Sequence, residues 1–137
     1  MFAVSVKGIY GLSAMYELAV NYNKSHIQIK EIASTHNIPQ HYLEQLLIIL
    51  KKAGLVKSYR GNQGGYALAR NPHQIKIMDI LQSLEGELLL IQEENRNNVF
   101  TFFWDGLKQK IREELDISLE ELLLKKQKTE QQVIYTI

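Results

Sequence analysis

Ile27-Gln28-Ile29-Lys30-Glu31-Ile32-Ala33-Ser34-Thr35-His36-Asn37-Ile38-Pro39-Gln40-His41-Tyr42-Leu43-Glu44-Gln45-Leu46 holds two short helical patterns that meet at the turn Asn37-Ile38-Pro39. A Gly-rich loop, Arg60-Gly61-Asn62-Gln63-Gly64-Gly65-Tyr66, follows within one helix length. This order reads as a winged helix-turn-helix, in which the second motif helix enters the major groove of DNA and the hairpin reaches the neighbouring groove or backbone. The expected fold is mainly α with a small β-hairpin wing, extended by a long C-terminal dimerisation helix. Sequence-specific DNA binding is the first functional expectation.

Around the turn, Ile32 and Ala33 face inward on a helix from Lys30 to His36, and Ala33 is small enough to let two motif helices cross closely. Ile38 plugs the corner, and Pro39 opens the next helix, where its missing N–H is harmless. That helix, Gln40 to Ala53, carries Leu43, Leu46, Leu47, Ile49 and Leu50 toward the core and stops at Gly54, with Lys51 and Lys52 suited to its C-terminal dipole. Leu55 to Arg60 and Tyr66 to Arg70 alternate like strands, and their glycine loop tolerates positive φ and offers bare backbone N–H groups. Ile27-Gln28-Ile29 is an extended entry segment able to pair with this wing.

Upstream, Ser5 is the expected N-cap of a helix to about Asn23, with Ile9, Leu12, Met15, Tyr16, Leu18, Ala19 and Tyr22 on its core face. Gly8 and Gly11 fall on the opposite side, as poor helix formers or as points of close approach to another backbone or to DNA. Downstream, Ile75 to Ile77 leads into a helix from Met78 to Glu85, ended by Gly86. A polar loop reaches Asn98, and a long helix follows from Val99 to Leu115. Ser118-Leu119-Glu120-Glu121 has capping-box spacing for a last helix to about Lys126, and Val133 to Ile137 is strand-like. The expected division is a reading domain over 1–86 and a dimerisation or regulatory region over 87–137.

The formal net charge of +1 hides an asymmetry. Through Ile80 there are nine Lys or Arg against four acids, and from Leu81 onward seven basic residues meet eleven acids. Only the first part is suited to phosphates, whose neutralisation releases counterions and drives non-specific affinity. At 137 residues and 45% hydrophobic content, the chain is long enough to bury a core. Neither a bilayer-spanning run nor a signal peptide is evident, so a cytoplasmic protein without membrane contact is expected.

Base recognition needs polar side chains on the exposed helix face. Gln40 and Gln45 suit two-pronged contacts to adenine, Glu44 accepts from cytosine, and His41 suits a base edge or phosphate. Tyr42 and Lys30 fit phosphate positioning, and Arg60, with Asn62, Gln63, Gly64 and Gly65 beside it, fits a minor groove. The competing reading is a winged-helix protein-interaction module whose polar face is simply solvated. Catalysis has no visible constellation. His26, His36, His41 and His73 form no i, i+4 pair for metal, and Gly61 to Gly65 lacks the Gly-Lys-Ser/Thr ending of a phosphate loop. With no cysteine, disulfides and thiolate-held zinc or iron-sulfur clusters are excluded, and no cofactor or enzymatic role is expected. Phe100, Phe103, Trp104, Leu107, Ile111 and Leu115 share one face of the long helix, which has little to pack on unless it meets a second copy, so this face is the expected homodimer interface.

Ser5-Val6-Lys7-Gly8-Ile9-Tyr10-Gly11-Leu12, Tyr42-Leu43-Glu44-Gln45-Leu46, Ala53-Gly54-Leu55-Val56, Arg60-Gly61 with Gly64-Gly65-Tyr66, and Asp79-Ile80 with Leu84-Glu85-Gly86 together resemble the Rrf-two family of bacterial transcription regulators. The similarity is close over residues 1 to 86 and looser beyond. It implies a homodimer with a crossing C-terminal helix, binding a roughly palindromic operator in double-stranded DNA. It also implies DNA contacts at Ser5, Lys7, Gln28, His41, Tyr42, Glu44, Gln45, Arg60 and Gly64-Gly65. Many members hold an iron-sulfur cluster through three cysteines between the fourth helix and the dimer helix. The corresponding segment here, Leu88 to Asn98, has none, and Ile9 stands where some members supply a non-cysteine ligand. The cysteine-free pattern is similar to the branch containing the cysteine-metabolism repressor, which implies cysteine synthase as a partner.

Overall fold

Two helices set at the Asn37 corner form the centre of the molecule. The computed structural model describes residues 3–136, with side chains through residue 132. α1 (Val6–Val20), α2 (Ile29–His36), α3 (Gln40–Lys52) and α4 (Ile77–Glu85) surround one core, to which the antiparallel hairpin β1 (Val56–Tyr59) and β2 (Gly65–Leu68) is attached. Beyond it lie α5 (Thr101–Leu115) and α6 (Leu119–Thr136).

The α2–α3 corner follows from three residues. Asn37 takes a left-handed conformation at φ 53°, which its short polar side chain tolerates, and its N–H donates to the Ala33 carbonyl. Ile38 is buried behind the turn, and Pro39 caps α3 from outside. Leu43, Leu46, Leu47 and Leu50 then repeat at helical spacing and are all but fully buried, while Ile49 is half-buried at the edge of that stripe. Gly54, at φ +78°, ends the helix as expected, because a side chain there would be strained.

α1 keeps part of its expected face, with Met15, Leu18 and Ala19 buried, and departs from the rest. Ser5 is the N-cap, its Oγ accepting from Lys7 N at 3.2 Å, but the helix ends at Val20, with Asn21 as C-cap. Ile9, expected inside, is 54% exposed, whereas Gly8 and Gly11 are buried. The reason is α4, which lies so close that a Cβ on Gly11 would overlap Leu84 and one on Gly8 would stand 2.9 Å from Glu85 Oε1. The glycines therefore serve close helix packing, and the contact face is rotated by about one residue from the stripe of large side chains. Leu12, Tyr16 and Tyr22 are only half-buried.

The C-terminal region is tied into the head. Ile77 N donates to Ile117 O at 2.9 Å and Leu119 N donates to Ile75 O at 2.8 Å, so Lys76 and Ser118 form a short antiparallel bridge. Ser118 Oγ caps α6 by accepting from Glu121 N at 3.0 Å, and Leu119 is fully buried in the core shared with α1 and α3. α6 continues through Thr136, past the expected stop at Lys126, so 133–136 are helical rather than a strand, and Ile137 lies outside the described residues. Lys, Gln and Glu between 125 and 132 are good helix formers, and a helix already nucleated there propagates into the β-branched residues that follow.

Candidate nucleic-acid interface

One face of α3 is fixed by its leucines, which leaves the other side to solvent. Gln40, His41, Glu44 and Gln45 are exposed there, and Gln45 Nε2 lies 3.4 Å from His41 Nε2 one turn back. Tyr42 is half-buried, its ring edge-on to Tyr10 of α1 with centroids 6.0 Å apart. That contact fixes α1 against α3. Burial holds the Tyr66 hydroxyl above the usual phenol range, and the negative charge of the Glu44 carboxylate adds to the shift.

The wing is anchored to the start of α2 by backbone bonds. Ile27 N donates to Tyr66 O at 2.9 Å and Tyr66 N donates to Ile27 O at 2.8 Å, so the entry segment pairs with β2 through Ile27 as expected, whereas Ile29, expected to be extended, already begins α2. Only glycine fits at 65, where φ is +144° and a Cβ would stand 2.6 Å from Ile27 O. His26 adds a side-chain tie. Its ring stacks on Tyr59 with centroids 3.5 Å apart and planes at 8°, and its Nδ1 lies 3.3 Å from Gln63 O. Lys57 Nζ stands 5.7 Å from the centroid of the same Tyr59 ring, within cation–π range.

Arg60, Asn62 and Gln63 are exposed at the wing tip, as are Gln28 and Lys30 at the start of α2. Gly64 is not the open donor expected of the loop. It is buried, and its N–H already donates to Gly61 O at 3.0 Å, because the tip closes on itself as a turn. Ser5 and Lys7 are exposed at the N-terminal end of α1. The chain of contacts is thus continuous: Tyr10–Tyr42 joins α1 to α3, Lys51 Nζ donating to Ser58 Oγ at 2.7 Å joins α3 to the wing, and Ile27–Tyr66 joins the wing to α2. His26 and Tyr59 were not singled out by sequence as a pair, since a stack between residues 33 apart has no local periodicity; pairing Ile27 with Tyr66 in register would have brought them together.

The histidines stay apart. His36 Nε2 meets Glu17 Oε1 at 3.0 Å between α2 and α1, and His73 meets Asn71 in a turn. On α5, Phe103 is 51% and Trp104 36% exposed, Phe100 just before the helix is exposed, and Leu107, Ile111 and Leu115 are half-buried. No residue of α5 is buried.

The comparisons with known proteins agree with this geometry. Residues 4–125 match the model of the Rrf2 family, described as an iron-dependent transcriptional regulator. The HTH-type transcriptional regulator CymR of Bacillus subtilis is 40% identical over 121 residues, covering 87% of this chain and 88% of CymR. Among solved structures, T. potens IscR superposes with a TM-score of 0.77 at 43% identity, covering 90% of this chain and 88% of that one. B. subtilis CymR, titled the global cysteine regulator of that organism, gives a TM-score of 0.70 at 39% identity, with 89% and 96% covered. Iron in the family description does not carry over to a thiolate-held cluster, because the chain has no cysteine, and among the described residues no three His, Asp or Glu side chains converge. With an exposed polar helix, a fastened wing and relatives named as regulators, the chain belongs to the Rrf2 family and is a DNA-binding transcription regulator of the winged helix-turn-helix type.

Proposed function

We propose that this chain works as a homodimer that reads a roughly palindromic operator and represses by blocking promoter access. The observation that carries the reading is the wing's attachment to both motif helices, through Ile27–Tyr66 on the α2 side and Lys51 Nζ donating to Ser58 Oγ at 2.7 Å on the α3 side. Such a head presents α3 and the wing as one rigid surface. In it Gln40, His41, Glu44 and Gln45 meet base edges, while Lys30, Tyr42 and Gln28 position phosphates. Arg60 enters the minor groove, with Asn62, Gln63, Gly64 and Gly65 shaping the tip and Ser5 and Lys7 meeting the backbone from α1. Residues 1–86 form the reading domain, into whose core Leu119 also packs, and 87–137 otherwise supply the dimerisation region. Phe100, Phe103, Trp104, Leu107, Ile111 and Leu115 pair the two copies, as the exposed aromatic face of α5 suggests. No described helix is long and apolar enough to cross a membrane, and the protein acts in the cytoplasm beside its operator.

Selection of bound sequences from a random DNA library at two salt concentrations tests this reading. Enrichment of a two-fold site with steep salt dependence is the expected result, since a dimer doubles the phosphate contacts. No enrichment in either salt would overturn it. The resemblance to the cysteine-free branch of the family further suggests cysteine synthase as a protein partner, and a pull-down without binding at micromolar synthase would remove that partner.

A further inference from the structure

Glu85, the last residue of α4, is 80 positions from Ser5 in sequence, yet its Oε1 accepts from Ser5 N at 3.0 Å, Ser5 Oγ at 2.5 Å and Gly8 N at 2.9 Å. Ser5 N and Gly8 N are N-terminal backbone donors of α1, which have no partner within the helix. A single carboxylate oxygen therefore gathers the cap residue and the first turn of α1, and Gly8 is what lets it in, since a Cβ there would stand 2.9 Å from the same oxygen. Ser5 Oγ is meanwhile held so that it also accepts from Lys7 N at 3.2 Å. On the other side of Glu85, Gly86 at φ +85° ends α4 and releases the chain into residues 87–98, which carry no α-helix or strand and lead to α5.

We infer that Glu85 is a positioning residue for DNA binding, one that fixes Ser5 and Lys7 against the phosphate backbone and ties their placement to the end of α4, where the segment leading to the dimer helix begins. The inference rests on the reading of Ser5 and Lys7 as phosphate contacts. The geometry gives the carboxylate a specific reason to be there. A charged acceptor at a helix N-terminus is favoured by the dipole and by each N–H it takes, and the same bonds hold the Glu85 carboxyl below the usual carboxylate range, the Ser5 hydroxyl first among the causes. Glu85 adds a link across the molecule. Because α4 packs on α1 through Gly8 and Gly11, a shift of its last turn moves Ser5 and Lys7 together rather than one at a time.

The test compares Glu85→Ala, Glu85→Gln, Lys7→Ala and the Glu85→Ala/Lys7→Ala pair in operator binding by the full chain across a salt series, with thermal unfolding alongside. A folding defect lowers the active fraction but leaves the slope of log K against log salt unchanged, whereas a lost phosphate contact lowers that slope by about one per head. Lys7→Ala is expected to lower the slope, Glu85→Ala to lower it comparably with a roughly 10-fold loss of affinity, and the double variant to lose little more than either. Glu85→Gln is expected between wild type and Ala, since its amide oxygen accepts the same bonds without the charge. If Lys7→Ala lowers the slope and Glu85→Ala does not, Glu85 has no positioning role. Should Glu85→Ala instead tighten binding, its charge opposes the phosphates and the inference fails. An unchanged slope in Lys7→Ala would overturn the α1 contact itself, independently of Glu85.

Discussion

α3 and α5 are both amphipathic helices of similar length, yet they solve opposite packing problems. α3 hides Leu43, Leu46, Leu47 and Leu50 almost completely and keeps its polar face outside, so one chain suffices to hold it. α5 buries nothing, and its large apolar residues, Phe103 and Trp104 in edge-to-face contact at 5.0 Å, stand half in solvent beside Phe100 and Phe102. The difference separates what the monomer supplies from what the proposed second copy would supply. A leucine stripe flanked by a motif turn finds its cover nearby, whereas an aromatic stripe beyond a polar loop does not.

The sharpest break in that comparison is Leu47→Ala, which removes a fully buried side chain from the head; a loss of about 2–5 kcal/mol in chemical denaturation is expected, enough to unfold much of the protein. The matching change on the other helix, Phe103→Ala with Trp104→Ala, should leave helical content and wing intact but weaken self-association by about 2–4 kcal/mol, read as monomer in sedimentation at concentrations where wild type is dimeric. If the double variant unfolds instead, α5 belongs to the monomer's core. Arg60→Ala is expected to cost about 1–3 kcal/mol of operator binding with no change in dimerisation, and Gln45→Ala the same with relaxed preference at one base position. Gly65→Ala should act on the wing alone, because its Cβ meets the Ile27 carbonyl; faster amide exchange at Ile27 and Tyr66 would register the loosened bridge.

The smallest effect is a pH dependence. The folded-state carboxyl of Glu85 is held low, so its contribution is complete above the ordinary carboxylate range and is lost as pH falls through its lowered value. An acid titration of wild type against Glu85→Gln should therefore diverge above that range and converge below it.

The helix-turn-helix was legible because its signals are local. Asn37 at the corner, Pro39 at the helix start and Gly54 at its end each depend on neighbours in sequence, and strand alternation marks Ile27 and the wing as extended segments able to pair without giving their register. What escaped depends on distant partners. On α1 periodicity finds Met15, Leu18 and Ala19 but misses the rest of the inner face, because the contacts there use Gly8 and Gly11, which hydrophobic periodicity counts as gaps, and Ile9 faces out for the same reason. Neither the His26–Tyr59 stack nor the Glu85 bonds to Ser5 and Gly8 could be read before the elements were docked, since the residues lie 33 and up to 80 positions apart. Of the interface candidates, the α3 face was visible as polar residues opposite leucines, while the closed tip at Gly64 required the backbone itself.

Residues 117–119 pair with 75–77, and Leu119 sits in the head's core, so the stretch from Gly86 to Ile117 leaves the head and returns to it. Such an excursion is a closed loop in the polymer sense. Lengthening a closed loop costs only about 0.6 kcal/mol for each doubling, as long as its ends stay seated. Residues can therefore be gained or lost between α4 and α5 with little penalty to the reading head, which makes this arm the part of the molecule freest to acquire a new sensor while the DNA-facing surface stays the same.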